Sequence, residues 1–279
     1  MDSNMPPAAL IAGDGALPGE VARRMAGAGI DVTVYSFTPD DGGRFSHLPE
    51  DKILSLPDLP GAEGSLSLQA FAADLAARGI KRAGMAGLIP KMAIYSSALD
   101  GSLRGLLTGG ENDDHALLGR IAAALETIGI AVYNYADYIG DSLAAEGVIA
   151  GRVFSEDEKQ DISYGKKILS ATLPLSFGQA VVIARGAVVA IEAMEGTDRM
   201  VRRAGDLLNG AAGVLVKMMR ADQDFRYDIP TVGPHTLREM AKAGLTALAL
   251  EAGRVIIVDR EEFLPLAEEL SIAVEGILP

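Results

Sequence analysis

The sequence contains no cysteine and no tryptophan, and aromatic residues make up only 5% of its 279 residues. Without cysteine, the chain has no disulfides, thiolate metal sites, iron–sulfur clusters or cysteine nucleophile. Hydrophobic residues nevertheless make up 49% of the chain. The core must therefore consist mainly of Ala, Val, Ile, Leu and Met, and the length predicts one large domain or two of ordinary size.

We also expect no secretory signal, because residues 1–10 carry Asp2 and no Lys or Arg. The most apolar stretch, residues 180–191, is interrupted by Arg185 and is too short to span a bilayer as a helix. We therefore expect a cytoplasmic protein, and peripheral contact with the inner-membrane surface stays open.

Positive charge is scarce: 25 Lys and Arg oppose 38 Asp and Glu, which gives a net charge of −13. This balance disfavours a nucleic-acid partner. An acidic protein that acts on a phosphorylated substrate commonly needs a divalent cation between carboxylate and phosphate, although acidity also serves solubility alone. The three histidines show no metal-ligand spacing, and the chain has no phosphate-binding Walker loop and no Gly-x-Ser-x-Gly elbow.

Short apolar segments alternate with amphipathic helical segments along the first half, which predicts a doubly wound parallel sheet. The second half alternates similarly, and Arg185-Gly186 between two apolar runs predicts a hairpin. We expect an α/β fold with one domain over 1–140 and a distinct α/β domain over 141–279. The predicted strands are 9–12, 31–35, 52–56, 82–86, 130–133, 180–184, 187–193, 213–218, 246–250, 255–258 and 272–274; the predicted helices include 67–78, 113–128, 156–171, 197–208, 234–243 and 261–270.

A glycine turn with Gly13 and Gly15 follows the first predicted strand and precedes a helix. Such a turn lets a ligand approach the backbone and presents a helix amino terminus to an anion. The third glycine of a dinucleotide fingerprint falls at Pro18, so a nicotinamide-dependent oxidoreductase is disfavoured. A phosphate or nucleotide contact and a purely structural turn remain equally good interpretations.

Asp113 stands in the acidic segment 111–114 at the start of a predicted helix. A helix cap explains one such residue, and capping is the better interpretation. A hard cation or a ribose hydroxyl is the alternative partner for these carboxylates.

The segment from Glu192 through Glu195, Gly196, Thr197 and Asp198 joins a strand to a helix. Ligands commonly bind at the carboxyl ends of strands in α/β sheets. Capping of the helix accounts for Thr197 or Asp198, but it does not account for the two glutamates. Carboxylate oxygens suit Mg²⁺, so a functional role is favoured here.

Lys217 lies at the end of a predicted strand, where it can contact phosphate oxygens. Asp228 and Thr231 stand on either side of Ile229-Pro230, and the proline keeps Ile229 extended. A carboxylate displayed in this way can bind a metal or activate water, whereas an Asx turn is the structural alternative and the better one in isolation.

Together these segments resemble a known family, the UDP-2,3-diacylglucosamine pyrophosphatases of the LpxI type. The resemblance covers nearly the whole chain. It is most specific at Glu-Gly-Thr-Asp (195–198) and Asp-Ile-Pro-Thr-Val-Gly (228–233), and weakest over 39–58 and 88–104.

The resemblance implies a Rossmann-like amino-terminal domain and Mg²⁺-dependent hydrolysis of UDP-2,3-diacylglucosamine to 2,3-diacylglucosamine 1-phosphate and UMP, a step of lipid A biosynthesis. It also implies a homodimer. The expected roles are catalysis for Asp228, Glu195 and Lys217, metal binding for Asp228, Glu192 and Asp198, and substrate binding for Gly13, Gly15, Asp113, Gly196, Thr197 and Thr231. The alternatives are a pyrophosphatase for another nucleotide sugar and a non-catalytic nucleotide- or lipid-binding module.

Overall fold

The computed structural model describes residues 5–37, 43–88, 114–176 and 178–279. Contacts within the chain divide it into two units. The first comprises Met1–Gly140 together with the short segment Asp224–Asp228, and the second comprises Asp141–Gln223 and Ile229–Pro279.

The first unit contains a five-stranded sheet in the order β3-β2-β1-β4-β5, and all of its neighbouring strands are parallel. The central strand β1 is buried along its whole length, as expected for an apolar strand covered on both faces. The predicted doubly wound parallel sheet is confirmed. Its strands are β1 (Ala8–Ala12), β2 (Val32–Ser36), β3 (Ile53–Ser55), β4 (Arg82–Ala86) and β5 (Ala131–Val132).

Three helices of this unit end in the same Gly-Ile pair, which turns the chain into the next strand. At the first of these ends, Gly29 has φ 79° and donates to the Ala26 carbonyl, while the Ile30 N–H donates to the Met25 carbonyl. This is the double hydrogen bond of a Schellman motif, and it places a buried isoleucine just ahead of a strand. The helices are α1 (Leu17–Gly27), α2 (Leu68–Ala77) and α3 (Asp114–Thr127).

The second unit contains a mixed six-stranded sheet in the order β6-β13-β11-β9-β7-β8 and a separate parallel pair, β10 and β12. The predicted hairpin is confirmed: β7 and β8 pair antiparallel, and Arg185 and Gly186 both have positive φ, as the favoured hairpin turn requires. The strands are β6 (Gly147–Ala150), β7 (Ala180–Ala184), β8 (Ala187–Ile191), β9 (Gly213–Lys217), β10 (Thr231–Val232), β11 (Leu245–Glu251), β12 (Ile256–Ile257) and β13 (Ala273–Ile277).

Helices cover both faces of this mixed sheet. Side chains alternate along β9, so that Leu215 belongs to one apolar core and Val216 to the other. Gly165 lets its helix approach β9 closely, because a Cβ there would lie 2.7 Å from a methyl group of Val216. The helices are α4 (Glu156–Thr172), α5 (Thr197–Leu208), α6 (Pro234–Lys242) and α7 (Arg260–Glu269).

Strands β8, β9 and β11 run in the same direction. Strand β9 is parallel to β11, and both β8 and β9 are antiparallel to β7, which lies between them. Their carboxyl ends therefore meet at one edge of the sheet. Glu192, Lys217 and Glu251, at the ends of these three strands, are all buried.

The segment Asp224–Asp228 belongs to the first unit although the chain on both sides of it belongs to the second. Tyr227 is 5% exposed and packs in the apolar core of the first unit, and Arg226 donates to Glu126 of α3 at 2.8 Å. Sequence patterns placed these five residues inside the domain over 141–279, and the contacts place them with the first unit instead.

Within the described part of the chain, no helix is both long enough and apolar enough to cross a membrane.

Candidate active site

Three polar side chains meet at the carboxyl edge of the mixed sheet. The Lys217 ammonium donates to the Thr197 hydroxyl at 2.6 Å, and this hydroxyl donates to Oε1 of Glu192 at 2.7 Å. Lys217 Nζ also lies 3.9 Å from Oε2 of Glu192. We call these three residues the Lys217 cluster.

The charges of the Lys217 cluster are largely removed from water, since Lys217 is 4% and Glu192 is 9% exposed. A buried ammonium is tolerated only where an opposite charge and hydrogen-bond acceptors satisfy it. Glu192 supplies the charge and Thr197 an acceptor. The cluster therefore holds a cation in place at the edge where parallel strands commonly bind ligands.

Helix α5 begins beside this cation, with Gly196 as its N-cap and Thr197 as its first residue. Gly196 has φ 80°, and no side chain caps the helix. The partial positive charge of a helix start favours an anion. Lys217, the Thr197 hydroxyl and the α5 backbone thus form one positively polarised surface.

Glu192 is held from a second side by the segment before β7. The Gln179 backbone N–H donates to Oε2 of Glu192 at 3.1 Å, and a Cβ on Gly178 would lie 2.0 Å from the Glu192 carbonyl oxygen. The Gln179 carbonyl accepts from Met218 N, next to Lys217. Nothing in the local sequence pattern indicates that Gly178 and Gln179 pack on Glu192.

Glu195 lies on the same loop but outside the Lys217 cluster. It pairs with Arg203 of α5, and the hydrogen bond from this guanidinium is the main reason why the pKa of Glu195 lies below its usual value. Arg203 also donates to the Ile191 carbonyl at 3.0 Å. Glu195 therefore remains ionised at neutral pH, which suits a base or an orienting group but not a proton donor.

Asp198, in the first turn of α5, faces the start of α6. It accepts from the Thr236 hydroxyl at 3.3 Å and lies 3.4 Å from Nε2 of His235. Thr231 donates to the Ile229 carbonyl at 3.0 Å, which is a local contact within its own turn. The structure thus brings Glu192, Thr197 and Lys217 together, with Asp198 on the adjoining helix.

In the first unit, the glycine turn packs against the loop after β4. Backbone hydrogen bonds of 2.7 and 3.1 Å join Asp14 and Leu88, and a Cβ on Gly13 would lie 2.4 Å from the Leu88 carbonyl oxygen. Arg44 donates to the carbonyls of Gly13 and Gly15 at 2.9 and 3.1 Å. Close packing of the two loops is therefore sufficient to require glycine at position 13, whatever ligand the turn contacts.

One further predicted residue also belongs to the first unit. Asp228 ends the segment Asp224–Asp228 and has a left-handed backbone with φ 64°. Asp113 lies outside the described residues. The roles predicted for both residues remain predictions.

The predicted Mg²⁺ site stays a prediction. Among the residues that the structure describes, no group of three or more His, Asp and Glu side chains is arranged to hold a metal ion. Both carboxylate oxygens of Glu192 already accept hydrogen bonds, and an ammonium lies 3.9 Å from one of them. These contacts do not suit a metal ligand at position 192.

Comparison with known families accounts for nearly the whole length of the chain. The LpxI N-terminal domain model matches residues 7–142, and the LpxI C-terminal domain model matches residues 145–275. The chain belongs to the LpxI family. The resemblance on which the expected roles depended is thereby confirmed.

One curated relative of this LpxI family member is the Caulobacter vibrioides protein named UDP-2,3-diacylglucosamine pyrophosphatase LpxI. The two are 32% identical over 287 aligned positions, which cover 97% of each chain. Among solved structures, the UDP-glucose 4-epimerase of Thermus thermophilus, in complex with NAD, covers 98% of this chain and 86% of its own, at 13% identity and a TM-score of 0.28. A TM-score this low does not indicate a shared fold.

Proposed function

We propose that this LpxI family member hydrolyses UDP-2,3-diacylglucosamine to 2,3-diacylglucosamine 1-phosphate and UMP, a step of lipid A biosynthesis. The observation that carries the proposal is the buried Lys217 ammonium beside the uncapped start of α5. It occurs in a chain that matches this family over residues 7–142 and 145–275.

Hydrolysis of a diphosphate breaks one P–O bond of the P–O–P bridge, and water supplies the new oxygen and two protons. Negative charge increases on the leaving phosphate as the bridge breaks. The Lys217 ammonium and the α5 backbone N–H groups are suited to stabilise it. At Gly196 a Cβ would meet nothing within 4 Å, so the space beside this helix start is open to a phosphate group.

The role predicted for Asp228, in metal binding or in positioning the attacking water, is kept as a proposal. The catalytic role predicted for Glu195, which is ionised beside Arg203, is kept as a separate proposal. Gly13, Gly15, Asp113 and Thr231 keep their predicted substrate contacts as proposals.

A requirement for Mg²⁺ is also proposed. In phosphate chemistry this ion is usually held by one or two carboxylates, substrate phosphates and water, so it needs no cluster of three carboxylates. Asp198 has the more suitable carboxylate, since its side chain is 36% exposed, whereas Glu192 makes the contacts of a buried salt bridge. The role proposed for Lys217 does not depend on the ion.

The direct test is incubation of the purified chain with UDP-2,3-diacylglucosamine, with Mg²⁺ or with EDTA, followed by chromatography of UMP. We expect UMP with Mg²⁺ and little with EDTA. Lys217→Met should lower turnover by about 100-fold or more, the usual effect of removing a group that stabilises developing charge. Lys159→Met is the matched control, because Lys159 pairs with Glu156 on the exposed face of α4.

Two outcomes would favour other functions. Equal turnover of acyl-free UDP-N-acetylglucosamine would indicate a pyrophosphatase for other nucleotide sugars. Binding of the acylated substrate without UMP formation under any metal condition would indicate a non-catalytic binding module.

The predicted homodimer and the peripheral contact with a membrane surface remain proposals as well. Sedimentation equilibrium at several protein concentrations tests the dimer, and flotation with phospholipid vesicles tests the membrane contact. A monomer at all concentrations, or protein that stays below the vesicles, would contradict them.

A further inference from the structure

We infer that Glu192 is a positioning residue that orients Lys217 toward the substrate, through their ion pair and through Thr197, and that it is not a ligand of the metal. This inference rests on the proposed function, and it assigns to Glu192 a role different from the one its sequence context suggested.

The hydrogen bonds of the Lys217 cluster run in one direction. Lys217 donates to Thr197, and Thr197 donates its only hydroxyl proton to Glu192, so the carboxylate fixes the orientation of the hydroxyl. An ammonium has three N–H donors. One N–H donor of Lys217 is directed to Thr197. The ion pair with Glu192, 3.9 Å away, holds the ammonium in place, and its remaining N–H donors can bind a phosphate oxygen.

Burial makes this arrangement depend on the charge of Glu192. Lys217 is 4% exposed, so water cannot stabilise the ammonium in place of the carboxylate. Replacing Glu192 by a neutral isostere would leave Lys217 facing one hydroxyl, and both side chains would lose their fixed orientation.

The carboxylate itself is held by the main chain. The Gln179 N–H donates to Oε2 of Glu192, and the Glu192 N–H donates to the Ala180 carbonyl at 2.9 Å. Gln179 is in turn held by its side-chain hydrogen bond of 3.0 Å to Gln223. A carboxylate that is fixed on both oxygens by N–H and O–H donors has the environment of an orienting group.

The test compares Glu192→Gln, Lys217→Met and the double variant, with Glu156→Gln as the carboxylate control, because Glu156 is exposed and pairs with Lys159 on α4. We expect Glu192→Gln to lower kcat roughly 10- to 100-fold, as loss of an orienting partner usually does, with little change in the Mg²⁺ concentration for half-maximal turnover. In the Lys217→Met background, the same substitution should cause no further loss, because Glu192 acts through Lys217.

Two results would overturn the inference. One is a tenfold or greater increase in the Mg²⁺ requirement of Glu192→Gln, which a metal ligand predicts. The other is a double variant whose loss of kcat equals the product of the losses in Glu192→Gln and Lys217→Met. If Glu192→Gln fails to fold, Thr197→Val breaks the same hydrogen bonds while keeping both charges, and normal turnover in that variant would also overturn the inference.

Wild-type turnover separates this inference from the proposed function. If the wild-type chain forms no UMP, the proposed function fails. The midpoint of urea unfolding is then compared among the wild type, the two single variants and the double variant. If the shift in the double variant equals the sum of the two single shifts, the positioning role is overturned.

Discussion

Asp228 has a left-handed backbone, with φ 64°, and this affects how its predicted role in the chemistry has to be tested. Asparagine and aspartate occupy this region more readily than other non-glycine residues. Alanine at position 228 therefore removes the carboxylate and also introduces backbone strain. Loss of turnover in Asp228→Ala alone would not separate the two effects.

The expected magnitudes distinguish three variants. Asp228→Ala should lower the free energy of unfolding by about 1 kcal/mol, the cost of a left-handed residue with a Cβ and no compensating side-chain polarity. Asp228→Asn should stay close to wild type. Asp228→Gly should also stay within about 1 kcal/mol, since its freedom at positive φ offsets its greater entropy in the unfolded chain. All three should lose turnover by about 100-fold or more if the carboxylate takes part in the chemistry.

Turnover is measured as UMP formation, and stability by urea unfolding followed by far-ultraviolet circular dichroism, because the chain has no tryptophan. Near-normal turnover in Asp228→Asn would remove the carboxylate from the mechanism. Equal stabilities of Asp228→Ala and Asp228→Asn would refute the argument from backbone conformation.

Two further predictions concern packing and acid stability. Gly178→Ala should lower both turnover and the free energy of unfolding, the latter by roughly 1–3 kcal/mol, because its Cβ would lie 2.0 Å from the Glu192 carbonyl; Gly27→Ala, where a Cβ meets nothing within 4 Å, is the control and should be neutral or stabilising. Burial alone would raise the pKa of Glu158, but hydrogen bonds from Arg152 and neighbouring donors lower it from 4.5 to about 2. Because the pKa is lower in the folded chain, ionised Glu158 stabilises the fold fully above about pH 4.5, and this stabilisation is lost as the pH falls toward 2. Glu158→Gln should therefore flatten the fall of the thermal midpoint over that range.

Most elements of the fold follow from local patterns in the sequence. The Arg185-Gly186 hairpin was predicted because one turn and its neighbours determine its conformation. The Gly-Ile pairs that end three helices are local features of the same kind. Strand β6 is not among the strands predicted from the sequence. It is an edge strand that pairs with β13 from the end of the chain, and local periodicity does not show such a distant partner.

The candidate site was predicted only in part. Residue types and strand ends were enough to select Glu192, Thr197 and Lys217 as candidates. Their mutual arrangement was not predictable, because it depends on the order of β8, β7 and β9 in the sheet. Nor could the sequence show that the Gln179 main chain holds Glu192, since this contact joins two segments on either side of a hairpin.

The sequence by itself determined the α/β class, the alternation of strands and helices, and the family to which the chain belongs. All three depend on local periodicity, turn residues and short motifs. Only the tertiary structure decided that Asp224–Asp228 packs with the first unit and that Glu192 faces an ammonium and a hydroxyl. The physical reason is that burial and pairing of a charge depend on which distant segments surround it, and sequence neighbours do not specify those segments.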